Sequence, residues 1–375
     1  MDFPQAGKTA GKPRILVAPL DWGLGHATRC MPIVRELLSQ GAEVMLAGEG
    51  AQEQLLKAEF PGLPFLSLPG YKINYAKTAR GLAWKMIGQG LKMKRAIRYE
   101  HQWLQWAVHE YALDAVISDN RYGLYHKNVL TVFITHQLTI RSPWGKWTEK
   151  ILQKRNYRYI NKFTECWVPD LEGPDNLAGK LSHPLRKPGI PIKYIGWLTR
   201  FKKTGVKEKE NHLLFILSGP EPQRTILENK IIEEVSRYNG TAVIARGLPG
   251  DSSILPSTNM IRFHNHLSAD ELNAGMEQAA FIISRSGYST VMDAAALGKK
   301  CIFIPTPGQT EQEYLGQYLS QKGLAVVAAQ DKFSLSSALA TARQFNYQSF
   351  TAPGKNLLGE TVSTLLAQLA APALG

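Results

Sequence analysis

Two short stretches of this chain carry side chains able to move a proton. The first, Asp21–Arg29 (DWGLGHATR), follows the apolar run Arg14–Pro19 and precedes the helical pattern Met31–Gln40. Gly23 and Gly25 let the backbone turn tightly and admit a ligand closely. The helix start beyond them leaves N–H groups unpaired for an anion or a developing oxyanion. His26, whose imidazole titrates near neutral pH, is the candidate general base. The glycine pattern lacks the third glycine of a dinucleotide fingerprint. The second stretch, Ser118–Asp119–Asn120, ends another apolar run. There Asp119 is placed to accept the second imidazole N–H of His26, to orient the ring and to raise its basicity. His136, with Gln137, follows the run Val129–Thr135 and faces the same region.

A different chemistry is written further along. In Phe281–Gly298 (FIISRSGYSTVMDAAALG) an apolar run ends in Arg285, Ser286 and Gly287, and a helix starts near Ser289 or Thr290. Hydroxyls, a glycine and free N–H groups at a helix start form a phosphate cradle. Asp293, about one turn in, can accept hydrogen bonds from a ribose diol. Pro305–Tyr314 (PTPGQTEQEY) crowds Gln309, Glu311, Gln312 and Glu313 at a strand end, as recognition of sugar hydroxyls needs. Ser218–Thr225 offers Gly219 and Arg224 to a diphosphate, and Arg200 and Arg246 are further cations. No Asp-x-Asp pair is present, so no metal and no other cofactor is expected.

Short β-rich apolar runs alternate with helical patterns throughout. Beyond those named, Glu43–Ala47, Asp114–Ser118, Leu213–Leu217, Thr241–Ala245, Met260–Phe263 and Cys301–Ile304 read as strands. Continuous apolar strands between helices predict an α/β protein whose parallel sheets are covered on both faces. The polar, basic stretch Gly196–His212 reads as a linker. It divides a Rossmann-like domain at 1–195 from a second at 213–355, with the working site in the cleft between them.

The chain has 375 residues, 44% hydrophobic and 20% charged, which excludes a disordered or fibrous polymer. Lysine plus arginine is 44 and aspartate plus glutamate 31, a net charge of +13. Such a balance favours anionic partners. Nothing matches a zinc finger, a KH loop or an RNP motif, so nucleic acid is not expected. Cys30, Cys166 and Cys301 match neither a disulfide framework nor a zinc site, which favours a reducing, cytoplasmic location. The polar N-terminus does not read as a signal peptide, and no apolar run is long enough to span a bilayer. Lys85–Arg98, flanked by Trp84, Trp103 and Trp106, and Lys146–Lys162, beside Trp144 and Trp147, are basic and amphipathic. Helices of that kind lie readily on an anionic membrane surface.

RSGYSTVMD followed by PTPGQTEQEY resembles the nucleotide-sugar signature of GT-B glycosyltransferases, and in pattern the peptidoglycan N-acetylglucosaminyltransferases of family 28, which use UDP-N-acetylglucosamine on a lipid-linked acceptor. Arg285, Ser286 and Gly287 match directly, and Thr290 lies in the matching helix start. Asp293 stands where the family has a ribose-holding glutamate. Gln312 matches a sugar-reading glutamine, and Glu313 departs from the second. GLGHATR is similar to the family's Gly-Gly-His loop, with His26 in the histidine's place, and Arg200 in IGWLTR matches a phosphate-binding arginine. FHNHL, with His264, resembles the loop whose backbone reads uracil. His26 with Asp119 also looks like the His–Asp dyad of small-molecule UDP-glycosyltransferases.

The resemblance implies two facing Rossmann domains with the donor on the second. It also implies a final helix within 356–375 that folds back onto the first. The implied activity is inverting, metal-independent transfer from a UDP-sugar to an acceptor hydroxyl, lipid-linked and met at the inner face of the cytoplasmic membrane. GLGHATRCMPIV also resembles hydrolases that release UDP from rare amino sugars with water as acceptor. A nucleotide-sugar 2-epimerase shares the architecture, and a non-catalytic binder of a nucleotide-sugar or lipid is the alternative of another class.

Overall fold

The computed structural model describes residues 11–71, 79–351 and 354–370, and side chains within its first long helix are described from residue 92 onward. Within the described residues the strands form two parallel sheets. The first contains β1 (Arg14–Pro19), β2 (Glu43–Gly48), β3 (Phe65–Ser67), β4 (Ala115–Asp119), β5 (Leu130–Ile134), β6 (Glu165–Val168) and β7 (Ile192–Tyr194), in the order β3-β2-β1-β4-β5-β6-β7. The second contains β8 (Lys209–Ile216), β9 (Thr241–Ala245), β10 (Ile261–His264), β11 (Ala279–Ser284), β12 (Cys301–Phe303) and β13 (Ala325–Val327), in the order β10-β9-β8-β11-β12-β13. β1 and β4 are buried along their whole length. A parallel strand covered by helices on both faces has no solvent side on which to place polar residues, hence the unbroken apolar runs.

The strand order reverses at β1/β4 in the first sheet and at β8/β11 in the second. At such a switch point the connections leave in opposite directions and open a crevice at the carboxyl ends of the strands. Pro19 pairs in register with Asp119 at the first switch. The His26 segment therefore leaves one strand end beside the carboxylate on its neighbour. At the second switch, Gly219 follows β8 and Arg285–Gly287 follow β11.

Three expectations are corrected. The helix α1 spans Leu24–Ser39 and not Met31–Gln40. Gly25 and Pro32 argue against a helix there, but Gly25 lies in the first turn, and a kink at Pro32 is tolerated inside a helix packed by buried Cys30, Met31, Ile33, Val34 and Leu37. β8 starts at Lys209, within the expected linker, because its first three residues are exposed and polar and show no apolar run. In the same stretch Leu198 and Phe201 are buried, so this strap packs between the lobes.

The remaining helices are α2 (Gly50–Glu59), α3 (Ala79–Tyr111), α4 (Lys146–Ile160), α5 (Gln223–Val235), α6 (Ala269–Gln278), α7 (Tyr288–Leu297), α8 (Thr310–Gln321), α9 (Leu335–Gln344) and α10 (Leu357–Ala370). No described helix is long and apolar enough to cross a membrane. α10 packs on α1: Gln40 Nε2 donates to the Gly359 carbonyl at 3.0 Å, and Val362 and Leu365 are fully buried in the cluster that includes Ile33, Val34 and Leu37. The last helix thus returns from the second sheet to the first lobe, while residues 371–375 of the expected segment lie outside the described ones.

Replacing a fully buried leucine by alanine removes its transfer free energy and leaves a cavity. Leu365→Ala is expected to lower stability by about 3 kcal/mol, read as a lower denaturant midpoint at unchanged m-value. A loss under about 1 kcal/mol would contradict the packing of α10 on α1.

Candidate active site

The N-cap of α1 is Gly23, a left-handed glycine (φ 86°) that supplies no side-chain cap, and His26 is the third helical residue. Arg29 follows one turn later on the same face. Its side chain is only 3% exposed, and it reaches Asp119 at the end of β4, which is fully buried. Arg29 Nε donates to Asp119 Oδ2 at 2.6 Å, and Nη2 donates to Oδ1 of the same carboxylate. Arg29 Nη2 also stands 2.8 Å from His26 Nδ1, and that nitrogen is 3.1 Å from Asp119 Oδ2. Burial opposes the charge on Asp119, but the Arg29 guanidinium and His26 outweigh it and hold the carboxyl well below its usual range. Burial, then Arg29, push the His26 imidazole down, against the pull of Asp119. His26 is therefore neutral at neutral pH.

The hydrogen bonds around Arg29 continue to the other lobe. His136, just beyond β5, stands with Nδ1 3.3 Å from Arg29 Nη1 and Nε2 2.7 Å from Glu311 Oε1, near the start of α8. Gln137 Nε2 donates to the other Glu311 oxygen. Burial opposes the Glu311 charge, but His136 and then Arg29 hold its carboxyl below the ordinary value. The His136 ring stacks on Tyr288 at 4.2 Å, and the Tyr288 hydroxyl donates to the Pro169 carbonyl at 2.8 Å. Ser289 Oγ donates to the Gly25 carbonyl at 3.0 Å. A Cβ at Gly25 would lie 2.9 Å from that oxygen, so Gly25 is where the two helix starts approach each other. The α7 N-terminus, like that of α1, has no side-chain cap. Two uncapped helix starts, each rich in free N–H groups, thus meet across the cleft.

Several side chains proposed for the donor are spent elsewhere. Arg285 is fully buried, and its two Nη atoms donate to the carbonyls of Ile304, Pro305 and Gln223, which ties the loop after β12 to the start of α5, while its Nε is buried without a partner. Ser286 Oγ donates to the Gln312 carbonyl at 2.8 Å. Arg224 bonds Glu221, Thr225 and Glu228, and Arg246 bonds Glu228, Ser253 and Asn265, so every guanidinium nitrogen of the pair is engaged within the protein. Gln312 Oε1 accepts from Thr306 N at 2.8 Å and Glu313 Oε1 from Gly308 N at 2.8 Å, so both oxygens shape their own loop. Arg285 and Ser286 thus pair backbone carbonyls, and Gln312 and Glu313 pair backbone N–H groups of their own loop.

Other groups remain available. Thr290 is half-buried in the first turn of α7 and Gly287, its N-cap, has open space where a Cβ would stand. Gly219 is left-handed (φ 104°), and its missing Cβ would lie 3.8 Å from Thr306 Oγ1, a buried hydroxyl with no protein partner. Arg200 Nε is likewise buried and unpartnered. Arg200 lies on the interlobe strap with Thr199, whose hydroxyl donates to Asp293 Oδ1 at 2.6 Å. Burial pushes the Asp293 carboxyl up to about 7, against that hydrogen bond and Arg200. His264 ends β10, at the far edge of the second sheet. Among the described residues no group of three His, Cys, Asp or Glu side chains is arranged to hold a metal ion.

Sequence reasoning missed Arg29 and gave Glu311 no individual role. The available signal for Arg29 was its place one turn after His26 on a helix face otherwise made of Cys30, Met31, Ile33 and Val34.

Comparison with known proteins fits this geometry. The glycosyltransferase family 28 C-terminal domain matches residues 256–366. The UDP-N-acetylglucosamine–N-acetylmuramyl-(pentapeptide) pyrophosphoryl-undecaprenol N-acetylglucosamine transferase of Haemophilus ducreyi is 28% identical over 326 residues, covering 84% of this chain and 85% of that protein. An uncharacterized glycosyltransferase of Methanosarcina mazei is 23% identical over 337 residues, 83% of this chain and 84% of that one. Among solved structures, the glycotransferase of kitacinnamycin superposes with a TM-score of 0.64 at 12% identity, over 96% of this chain and 95% of its own. The fold is GT-B, and the chain is a glycosyltransferase.

A buried ion pair broken on one side leaves an uncompensated charge. Asp119→Asn is expected to cost ~3–5 kcal/mol of stability at neutral pH, measured by denaturant unfolding. The folded carboxyl titrates below its unfolded value, so in the wild type this increment is present above the ordinary Asp range and is lost only as pH falls through the folded value. A loss under about 1 kcal/mol would mean that the pair is not desolvated.

Proposed function

We propose that this glycosyltransferase moves a sugar from a UDP-sugar, UDP-N-acetylglucosamine by resemblance, to the hydroxyl of a lipid-linked acceptor, with inversion and without a metal. The observation that carries the reading is the meeting of the two uncapped helix starts, α1 with His26 and α7 with its open Gly287–Thr290 turn, at the reversal points of both sheets. The family 28 match, residues 256–366, includes α7 and the loops on either side of it, which supports placing the donor there.

Three tasks follow from a single displacement at the anomeric carbon. The acceptor hydroxyl must lose a proton as it attacks. His26, neutral at neutral pH and 15% exposed to the cleft, takes it, and the imidazolium formed is stabilised by Asp119. The departing diphosphate gains charge. The free N–H groups of α7 around Gly287 to Thr290, with Arg200 and the unpartnered Thr306 hydroxyl beside Gly219, offer hydrogen bonds in a partly desolvated setting. The sugar must be held in line. The Gln312 amide nitrogen, which makes no protein hydrogen bond among the described residues, is the group left for its hydroxyls.

The acceptor side is supported by the surface of α3 and α4. Lys94, Arg155, Arg158, Tyr159 and Lys162 line a cavity of about 470 Å³ between these helices. Trp106, Trp144 and Trp147 are exposed nearby in sequence, Trp147 at 74%. Cations and exposed indole rings on the same pair of helices suit a protein that rests on an anionic bilayer to reach its acceptor. The side chains of Trp84, Lys85, Met86, Ile87 and Leu91 belong to the same amphipathic pattern but lie outside the described ones.

The test measures UDP released from UDP-N-acetylglucosamine in three arms: no acceptor, a water-soluble sugar acceptor, and a polyprenyl-diphosphate sugar in anionic vesicles. Release confined to the vesicle arm is expected. Equal release without acceptor would replace transfer by hydrolysis, and tight donor binding with no release in any arm would leave a non-catalytic binder.

A further inference from the structure

The geometry points to Arg29 as the positioning residue that decides which nitrogen of His26 carries the proton, and so whether this imidazole faces the cleft as a proton acceptor or as a donor. The inference rests on the reading of His26 as the base. A neutral imidazole has one N–H and one lone pair. His26 Nδ1 has two neighbours that make opposite demands. Asp119 Oδ2, at 3.1 Å, can only accept and needs a proton on Nδ1. Arg29 Nη2, at 2.8 Å, can only donate and needs the lone pair there. Both cannot be met by one neutral ring.

The distances favour Arg29. Asp119 Oδ2 already accepts from Arg29 Nε at 2.6 Å, and Oδ1 from Nη2. The carboxylate is therefore satisfied without His26. An N–H on Nδ1 would instead face a guanidinium N–H at 2.8 Å, donor against donor. As the side chains stand, the proton of His26 belongs on Nε2, and the ring offers the cleft an N–H and not a lone pair. The form able to accept a hydroxyl proton at Nε2 requires Arg29 Nη2 to leave Nδ1, after which a proton on Nδ1 is received by Asp119.

The groups that face this choice come from four elements: Arg29 and Cys30 on α1, Asp119 on β4, His136 beyond β5 and Glu311 on α8. Their hydrogen bonds are mutually consistent. Glu311 accepts from His136 Nε2–H, so His136 Nδ1 keeps a lone pair for Arg29 Nη1. The tautomer of His26 is thereby tied to Glu311 in the opposite lobe, the neighbour of Gln312. Displacement of Glu311 from His136 would release one arm of Arg29 and ease its departure from His26. The arrangement restrains the base until the opposite lobe has moved, which disfavours activation of water in place of the acceptor.

The test is nitrogen NMR on the full chain labelled with 15N-histidine, in which the His26 signals are identified by their loss in His26→Gln. The wild type at neutral pH is expected to carry the His26 proton on Nε2, and Arg29→Met to carry it on Nδ1. A wild-type proton on Nδ1, or no change in Arg29→Met, would overturn the inference. If Arg29→Met does not fold, the wild-type spectrum decides alone. In a folded Arg29→Met, the acid limb of kcat/KM is expected to move up by about one pH unit, because a cation beside His26 is gone while Asp119 remains. An Arg29 that is merely structural lowers the rate equally at every pH. Unchanged turnover in His26→Gln would remove the transfer reading but leave the NMR result standing.

Discussion

A carboxylate taken wholly out of water must be neutralised or paired, and Asp119 is paired. It stands at the carboxyl end of β4, in register with the last residue of β1. From this point much of the site follows. Both carboxylate oxygens are met by a cation with two donors in a fixed plane, the geometry that arginine provides. That arginine must come from α1, whose first turn lies over the same strand ends. Once Arg29 is drawn down onto Asp119, His26 on the preceding turn is held against both, and His136 is fixed by the remaining guanidinium arm. One buried charge thus orients the groups that surround the candidate reacting proton.

The same network extends to the second lobe. Glu311 brings a second carboxylate to His136, so the charges alternate from Asp119 through Arg29 to Glu311. Around it the lobes meet through small groups: the Ser289 hydroxyl on the Gly25 carbonyl, and Tyr288 stacked on His136. Contacts of this kind are directional and individually worth little. The stronger tethers lie behind them. The strap with Leu198 and Phe201 and the return of α10 onto α1 are packed with fully or nearly fully buried apolar side chains.

Much of this frame was legible in the sequence. The strands Arg14–Pro19 and Thr241–Ala245 stand as read, because a strand covered on both faces has no choice but an apolar run. β8 was shortened because its exposed start is polar. His26 and Asp119 are legible as candidates from their place at or just after strand ends. Arg29 is not, since an arginine on a helix reads as solvent-facing unless a buried partner distant in sequence is known. The donor lobe shows the converse. Arg285, Ser286, Arg224 and Gln312 have the right chemistry at the right strand ends, but whether such a side chain meets a ligand or a neighbouring carbonyl depends on loop geometry. Residue type locates the loop, and only the packed loop shows which atoms remain unspent, among them Thr306 Oγ1, Arg200 Nε and Arg285 Nε.

The central claim is a division of labour, with proton transfer on the first lobe and the nucleotide-sugar on the second. Calorimetric titration of UDP into the wild type and into His26→Ala, alongside turnover of each, tests it most directly. The account predicts that the variant binds UDP as the wild type does and fails to turn over. Loss of UDP binding together with turnover would contradict it, since His26 would then belong to the donor site or to the fold itself.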